Sequence, residues 1–252
     1  MRFDEPPSEE TLRNLIDEAR GRGEETVTVE TAREAGDAWV RAGFTEQARV
    51  LEASVAALEE RLAGDKAPSY GSVHVQTDDL DGVVRAVRQF VPRMPGGSKG
   101  SIVSPPRNGW VTVYDELTDR NPEMLRRLAR EISDRMGAVV LHLGVEEGQV
   151  VRFVLFERGR LMDEYLSVPE YYGEVPPGDV ISLAANPTVV GRLTGADSAE
   201  VRRVIVNGKS ADELPPADEL AAAVGSLLGV EGADHGYGRA REIPGAVDVP
   251  RE

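Results

Sequence analysis

Two acidic pairs, Asp115–Glu116 and Asp163–Glu164, carry the residue types that bind a divalent cation or divide acid and base roles between carboxylates. Each stands at or near the end of a predicted strand. Neighbours on one strand point to opposite faces, so neither pair makes a site alone, and the ordinary reading is solvated strand-end charge. The segment DEYLSVPEYYG gathers Tyr165, Tyr171 and Tyr172 beside Asp163, Glu164 and Glu170. Tyrosine supplies contact area and a hydrogen-bonding tip at low entropic cost, so these residues are the predicted binding surface.

Other chemistry finds less support. PGGSKGS at 95–101 and NGKS at 207–210 contain glycine, lysine and serine without the spacing, or the following helix, that a phosphate-cradling loop needs. His74, His142 and His235 are too far apart for a local metal box, and the first two fall on predicted strands, where a histidine is ordinarily structural. The sequence has no cysteine, which excludes disulfides, thiolate chemistry and cysteine-held metal clusters. No catalytic residue, metal-ligand set, cofactor or small-molecule ligand is identified. A formal charge of -15, with no basic segment, disfavours a nucleic-acid partner and suits a soluble protein, and elimination leaves a protein partner or self-association.

The elements that must position these residues follow from periodicity. Residues 1–66 read as an N-terminal helical hairpin region. The stretch GDKAPSYG breaks both apolar periods and opens a central domain, 67–175. There SVHVQT alternates as a strand, and Asp78 or Asp79 starts a helix with Leu80, Val83, Val84, Val87 and Val91 on one side. SIVS and GWVTVY follow as short strands. Asn121-Pro122 opens a helix that Gly137 ends, and three strands run through Ala138–Val145, Val150–Phe156 and Arg160–Leu166. This predicts an α+β fold: a ferredoxin-like βαββαβ order extended by two strands into an antiparallel sheet of about six, with helical N- and C-terminal regions. Residues 176–229 read as short helices packed on the sheet, and 230–252 as an irregular tail that could dock one strand.

Two stretches resemble known families. Gly36, Trp39, Gly43 and Ala48, within 29–63, are spaced as in a tetratricopeptide repeat, which implies protein binding by a helical hairpin. The departures from that pattern are Ala35 and Glu52. VGRLTGADSAEVRRVIVNGK, within 187–209, resembles the helix-turn-helix of lactose-repressor-type regulators through Gly191, Gly195, Val201, Val204 and the Asn-Gly-Lys ending. That resemblance implies that Ser198, Arg202 and Arg203 face a major groove. No run approaches the roughly 18 apolar residues of a membrane helix, and the acidic N-terminus has no signal-peptide pattern, so a cytoplasmic location is expected. The reading is therefore a noncatalytic interaction or assembly module. The alternatives are a DNA-binding regulator acting through 187–206 and a cation-dependent enzyme using the acidic strand-end residues.

Overall fold

The chain divides between Lys66 and Ala67 into two units. A computed structural model describes residues 69–94 and 97–251, all in the second unit. The predicted hairpin, with its tetratricopeptide-like stretch, lies outside the described residues.

The second unit is built on a seven-stranded sheet in which every pairing is antiparallel. Its strands are β1 (Tyr70–Gln76), β2 (Gly100–Val103), β3 (Trp110–Asp115), β4 (Val139–Glu146), β5 (Val150–Glu157), β6 (Arg160–Leu166) and β7 (Val247–Pro250). They lie side by side in the order β6-β5-β4-β1-β3-β2-β7. Strand plus helix content makes the fold α+β. The seventh strand corrects the expected count of about six. It comes from the tail, which is not irregular throughout: Tyr237–Ala240 is a helical turn and Val247–Pro250 pairs with β2.

Local signals account for most element ends. Helix α1 (Leu80–Phe90) starts where the Asp79 carboxylate accepts the Gly82 N–H at 2.8 Å. The short α2 (Glu116–Arg120) is capped by Asp115, and α3 (Pro122–Met136) by Asn121, with Pro122 in its first turn and Gly137 left-handed at its end. Three hairpin turns place consecutive residues at positive φ: Asn108-Gly109, Glu147-Gly148 and Arg158-Gly159. Those are the geometries that match the twist of paired strands.

Alternation along the strands divides the core in two. Val73, Val75, Val111, Val113, Val140 and Val154 point to the face covered by α1 and α3. Leu141, Leu143, Val151 and Phe153 point to the other face. There they pack under α5 (Pro187–Thr194), α6 (Ser198–Val204) and α7 (Ala217–Leu227), which follow the small helix α4 (Pro177–Ser182). Toward the β2 edge that face is covered by the tail, through α8 (Tyr237–Ala240) against Ile102 and Tyr114. Among the described residues no helix is long and apolar enough to cross a membrane.

Candidate functional site

The start of α3 comes unusually close to the sheet. Gly71 and Gly144 are cross-strand partners on β1 and β4, and a Cβ on Gly71 would stand 2.2 Å from Leu125 Cδ2. Two glycines side by side therefore make the shelf on which the first turn of α3 rests. Beside that shelf opens a cleft of about 470 Å³, edged by Pro122, Glu123 and Arg126 of α3 and by the β4–β5 hairpin.

The floor is His142. It is paired across β4 and β1 with Val73 and so lies on the α1/α3 face, 1% exposed, with neither ring nitrogen bonded. Burial first, then the Arg152 and Arg126 guanidinium groups, push its pKa down to about 3, so the ring is neutral at ordinary pH. A neutral imidazole offers one N–H donor and one nitrogen acceptor.

A chain of charged hydrogen bonds forms the wall. Arg126 Nη1 donates to Glu164 Oε1 at 2.7 Å, and Arg152 Nη1 donates to the same oxygen at 2.9 Å. Arg152 Nε reaches Glu146 Oε1 at 2.7 Å, and the Tyr172 hydroxyl donates to Glu146 Oε2 at 2.5 Å. The Tyr171 hydroxyl donates to Glu147 Oε2 at 3.0 Å, and the two tyrosine rings meet edge to face. Burial and then Glu146 raise the Tyr172 pKa, which keeps that phenol protonated and donating. Burial opposes the Arg152 charge, but Glu146 and Glu164 outweigh it. The wall is thus built of charge-assisted bonds, the stronger and geometrically more specific kind.

The predicted binding surface divides on this geometry. Glu164 and Tyr172 belong to the cleft, and Tyr171 buttresses its rim. Tyr165 does not: it is fully buried on the opposite face, stacked on Phe153 at 5.2 Å, with its hydroxyl on the Val206 carbonyl at 2.7 Å. Face parity explains the correction, because Tyr165 is the cross-strand partner of Phe153. Asp163 also points away from the cleft, accepting the Asn186 N–H at 2.9 Å, and Glu170 is exposed on the loop.

The two acidic pairs do not converge. Asp115 accepts from Ser98, Ser101 and the Leu117 N–H, and β3 is separated from β6 by β1, β4 and β5. At about 4.8 Å per strand that is roughly 19 Å, far beyond one ion's coordination sphere. Among the described residues no group of three or more potential ligands could hold a metal ion. In the helix-turn-helix-like stretch, the Ser198 hydroxyl donates to the Pro187 carbonyl at 3.0 Å and Arg203 pairs with Glu200, while Arg202 is exposed.

Sequence reasoning missed His142, Arg126, Arg152 and Glu146. A signal existed: His142, Gly144 and Arg152 interrupt otherwise apolar strands at even spacing. Only the register, Gly144 opposite Arg152 and His142 opposite Val154, brings them onto one face.

A second cleft of about 420 Å³ lies on the opposite face, near Trp110, Thr112, Tyr114 and His235. Several of its polar groups are partnered internally: Tyr114 donates to the Gly232 carbonyl and stacks on His235, and Thr112 bonds His74. Comparison of the chain with protein-family models, with curated proteins and with solved structures finds no match.

Proposed function

We propose that this chain is a noncatalytic interaction module, and that its second unit holds a partner at the cleft between the α3 N-terminus, the β4–β5 turn and Tyr172. The observation that carries the reading is His142, a fully buried ring with two unbonded nitrogens at the floor of an open cleft. Buried polar groups are ordinarily satisfied, and an exception at the base of a cavity marks a place where something binds. Tyr172 at the mouth is 57% exposed and amphipathic, as contact residues are. The noncatalytic part keeps the sequence reading, in which no complete catalytic motif is found.

Two coarser readings accompany this one. The order β4-β1-β3-β2, with α1 and α3 on one face, supports a ferredoxin-like core extended by β5 and β6 on one side and β7 on the other. The cysteine-free sequence supports a cytoplasmic location.

Affinity capture from the native cell tests the function. A partner retained by the wild-type chain is expected to be lost from the Tyr171→Ala/Tyr172→Ala variant and kept by Arg202→Ala/Arg203→Ala. Identical partner lists for the wild type and the tyrosine variant would remove the cleft as the interaction site.

A further inference from the structure

We infer that the cleft takes a carboxylate, bound by the His142 N–H and the free edge of the Arg126 guanidinium at the first turn of α3. The inference rests on the reading of the cleft as a binding site and adds the chemistry of what it binds.

The argument is a census of unused hydrogen-bonding capacity. The wall carboxylates each accept at least one bond: Glu164 receives Arg126 and Arg152, Glu146 receives Arg152 and Tyr172, and Glu147 receives Tyr171. Donors are left over. Arg126 gives one nitrogen, Nη1, to Glu164, and a guanidinium carries five N–H groups in a planar fork. His142 gives none. A ligand that supplies an acceptor meets both the His142 N–H and the unused edge of Arg126.

The surrounding field agrees. Helix α3 is 15 residues long, and its N-terminal turn, with Pro122 and Glu123 on the rim, presents the positive end of the helix dipole. The two charges that act on the buried ring from the wall are those of Arg152 and Arg126, both positive. Charge count then selects among anions. Three arginines, Arg120, Arg126 and Arg152, stand against Glu123, Glu146 and Glu147 of the lining and Glu164 of the wall, so the cleft has no net positive charge. That balance leaves no surplus for a dianion, whereas one carboxylate matches one guanidinium fork and one N–H. A peptide C-terminus and a free small acid both present this group. A chain terminus fits the interaction reading, since C-terminal carboxylate capture is a recurring mode of peptide recognition.

The test uses the full chain, labelled with ¹⁵N in its histidine rings, at pH 7. The probes are acetylated short peptides with free C-termini, the same peptides amidated, propionate and benzoate, and inorganic phosphate. Free carboxylates are expected to move the His142 ring signals and leave those of His74 in place, while amidated peptides move neither. Peptides that bind more tightly than the small acids identify a chain terminus as the source, and the reverse order identifies a free acid. Affinity is expected to fall at least tenfold in His142→Phe and in Arg126→Met, and to stay unchanged in Arg202→Ala. Near-ultraviolet circular dichroism of both variants separates lost binding from lost fold. Phosphate moving His142 where carboxylates do not overturns the carboxylate assignment and leaves the cleft a binding site. Ring signals that respond to none of the probes overturn the inference and assign the ring to water. The tyrosine capture experiment judges the interaction reading separately.

Discussion

His74 and His142 lie on neighbouring strands, are equally buried, and are both pushed to a pKa of about 3, first by burial, yet they face opposite sides of the sheet and differ in every partner. His74 is bonded at both nitrogens, by the Ser72 hydroxyl at 2.9 Å and the Thr112 hydroxyl at 2.9 Å. His142 is bonded at neither. Equal burial and an equal pKa shift therefore say little about role. What separates a structural histidine from a candidate binding group is the state of its hydrogen bonds, and that is where the two faces of this sheet part.

The largest test of the comparison is to replace each ring by a phenyl. His74→Phe leaves the Ser72 and Thr112 hydroxyls buried without their shared partner, so it should cost about 2–3 kcal/mol in urea unfolding at pH 7. His142→Phe removes a polar ring that has no bond to lose, and should lie within about 1 kcal/mol of the wild type or be stabilising. Equal losses would mean that His142 is held by something the hydrogen-bond geometry omits. Next in size is Gly71→Ala, whose Cβ would stand 2.2 Å from Leu125 Cδ2, so that this buried side chain must turn aside or lift the first turn of α3. A cost of about 1–3 kcal/mol is expected for such overpacking. Because α3 covers only the His142 face, the ¹⁵N ring signals of His142 should shift while those of His74 stay. Movement of both would show that the two faces are coupled through the sheet.

How much of this was legible in the sequence depends on range. Signals confined to a few residues could be read directly: Asp79, Asn121-Pro122 and Gly137 bound the helices expected of them. The α+β pattern followed from the same periodicities. The tail reads as irregular with room for one docked strand; the strand is there, and the rest of its order depends on distant partners, the Asp119 carboxylate for the Tyr237 N–H and β2 for β7. The site was half legible. Tyr171, Tyr172 and Glu164 announced themselves by clustering, but their cluster also held Tyr165, which the strand register sends into the core. Arg126, Arg152 and His142 come from α3, β5 and β4, and their meeting is a fact of pairing that no local window contains.

Acid titration sharpens the comparison with a smaller effect. A histidine whose folded pKa lies near 3, against about 6.5 unfolded, takes up its proton more readily when unfolded. Stability is therefore full above about pH 6.5 and declines as pH falls toward 3. Between pH 6.5 and 5.5 each ring should contribute a loss of about 1 kcal/mol. The difference in unfolding free energy between the wild type and His142→Phe should grow by that amount over the same unit. Ligand carboxylate at saturating concentration should shrink the His142 contribution, because an anion accepting the ring N–H favours the imidazolium.

Asp119 acts in the opposite direction, and removing its contribution leaves the histidines less opposed. Its carboxylate accepts the Gly71 N–H at 3.2 Å and the Tyr237 N–H at 2.8 Å, tying the tail to the start of β1. Burial nevertheless outweighs those bonds and raises its pKa to about 6. A raised acid binds its proton more tightly in the folded chain, so its contribution to stability is greatest below about pH 3.8 and falls as pH rises toward 6. The sign is the reverse of the histidine term over an overlapping window, and partial solvent screening should reduce it to about 0.5 kcal/mol per pH unit. In Asp119→Asn, the dependence of unfolding free energy on pH between 4.5 and 6 should become steeper, because one of the carboxylate contributions that oppose the histidine decline is gone. A flatter profile in that variant would mean that Asp119 is held ionised by its two backbone donors. The tail would then be fastened to β1 by a charge-assisted latch that acid releases.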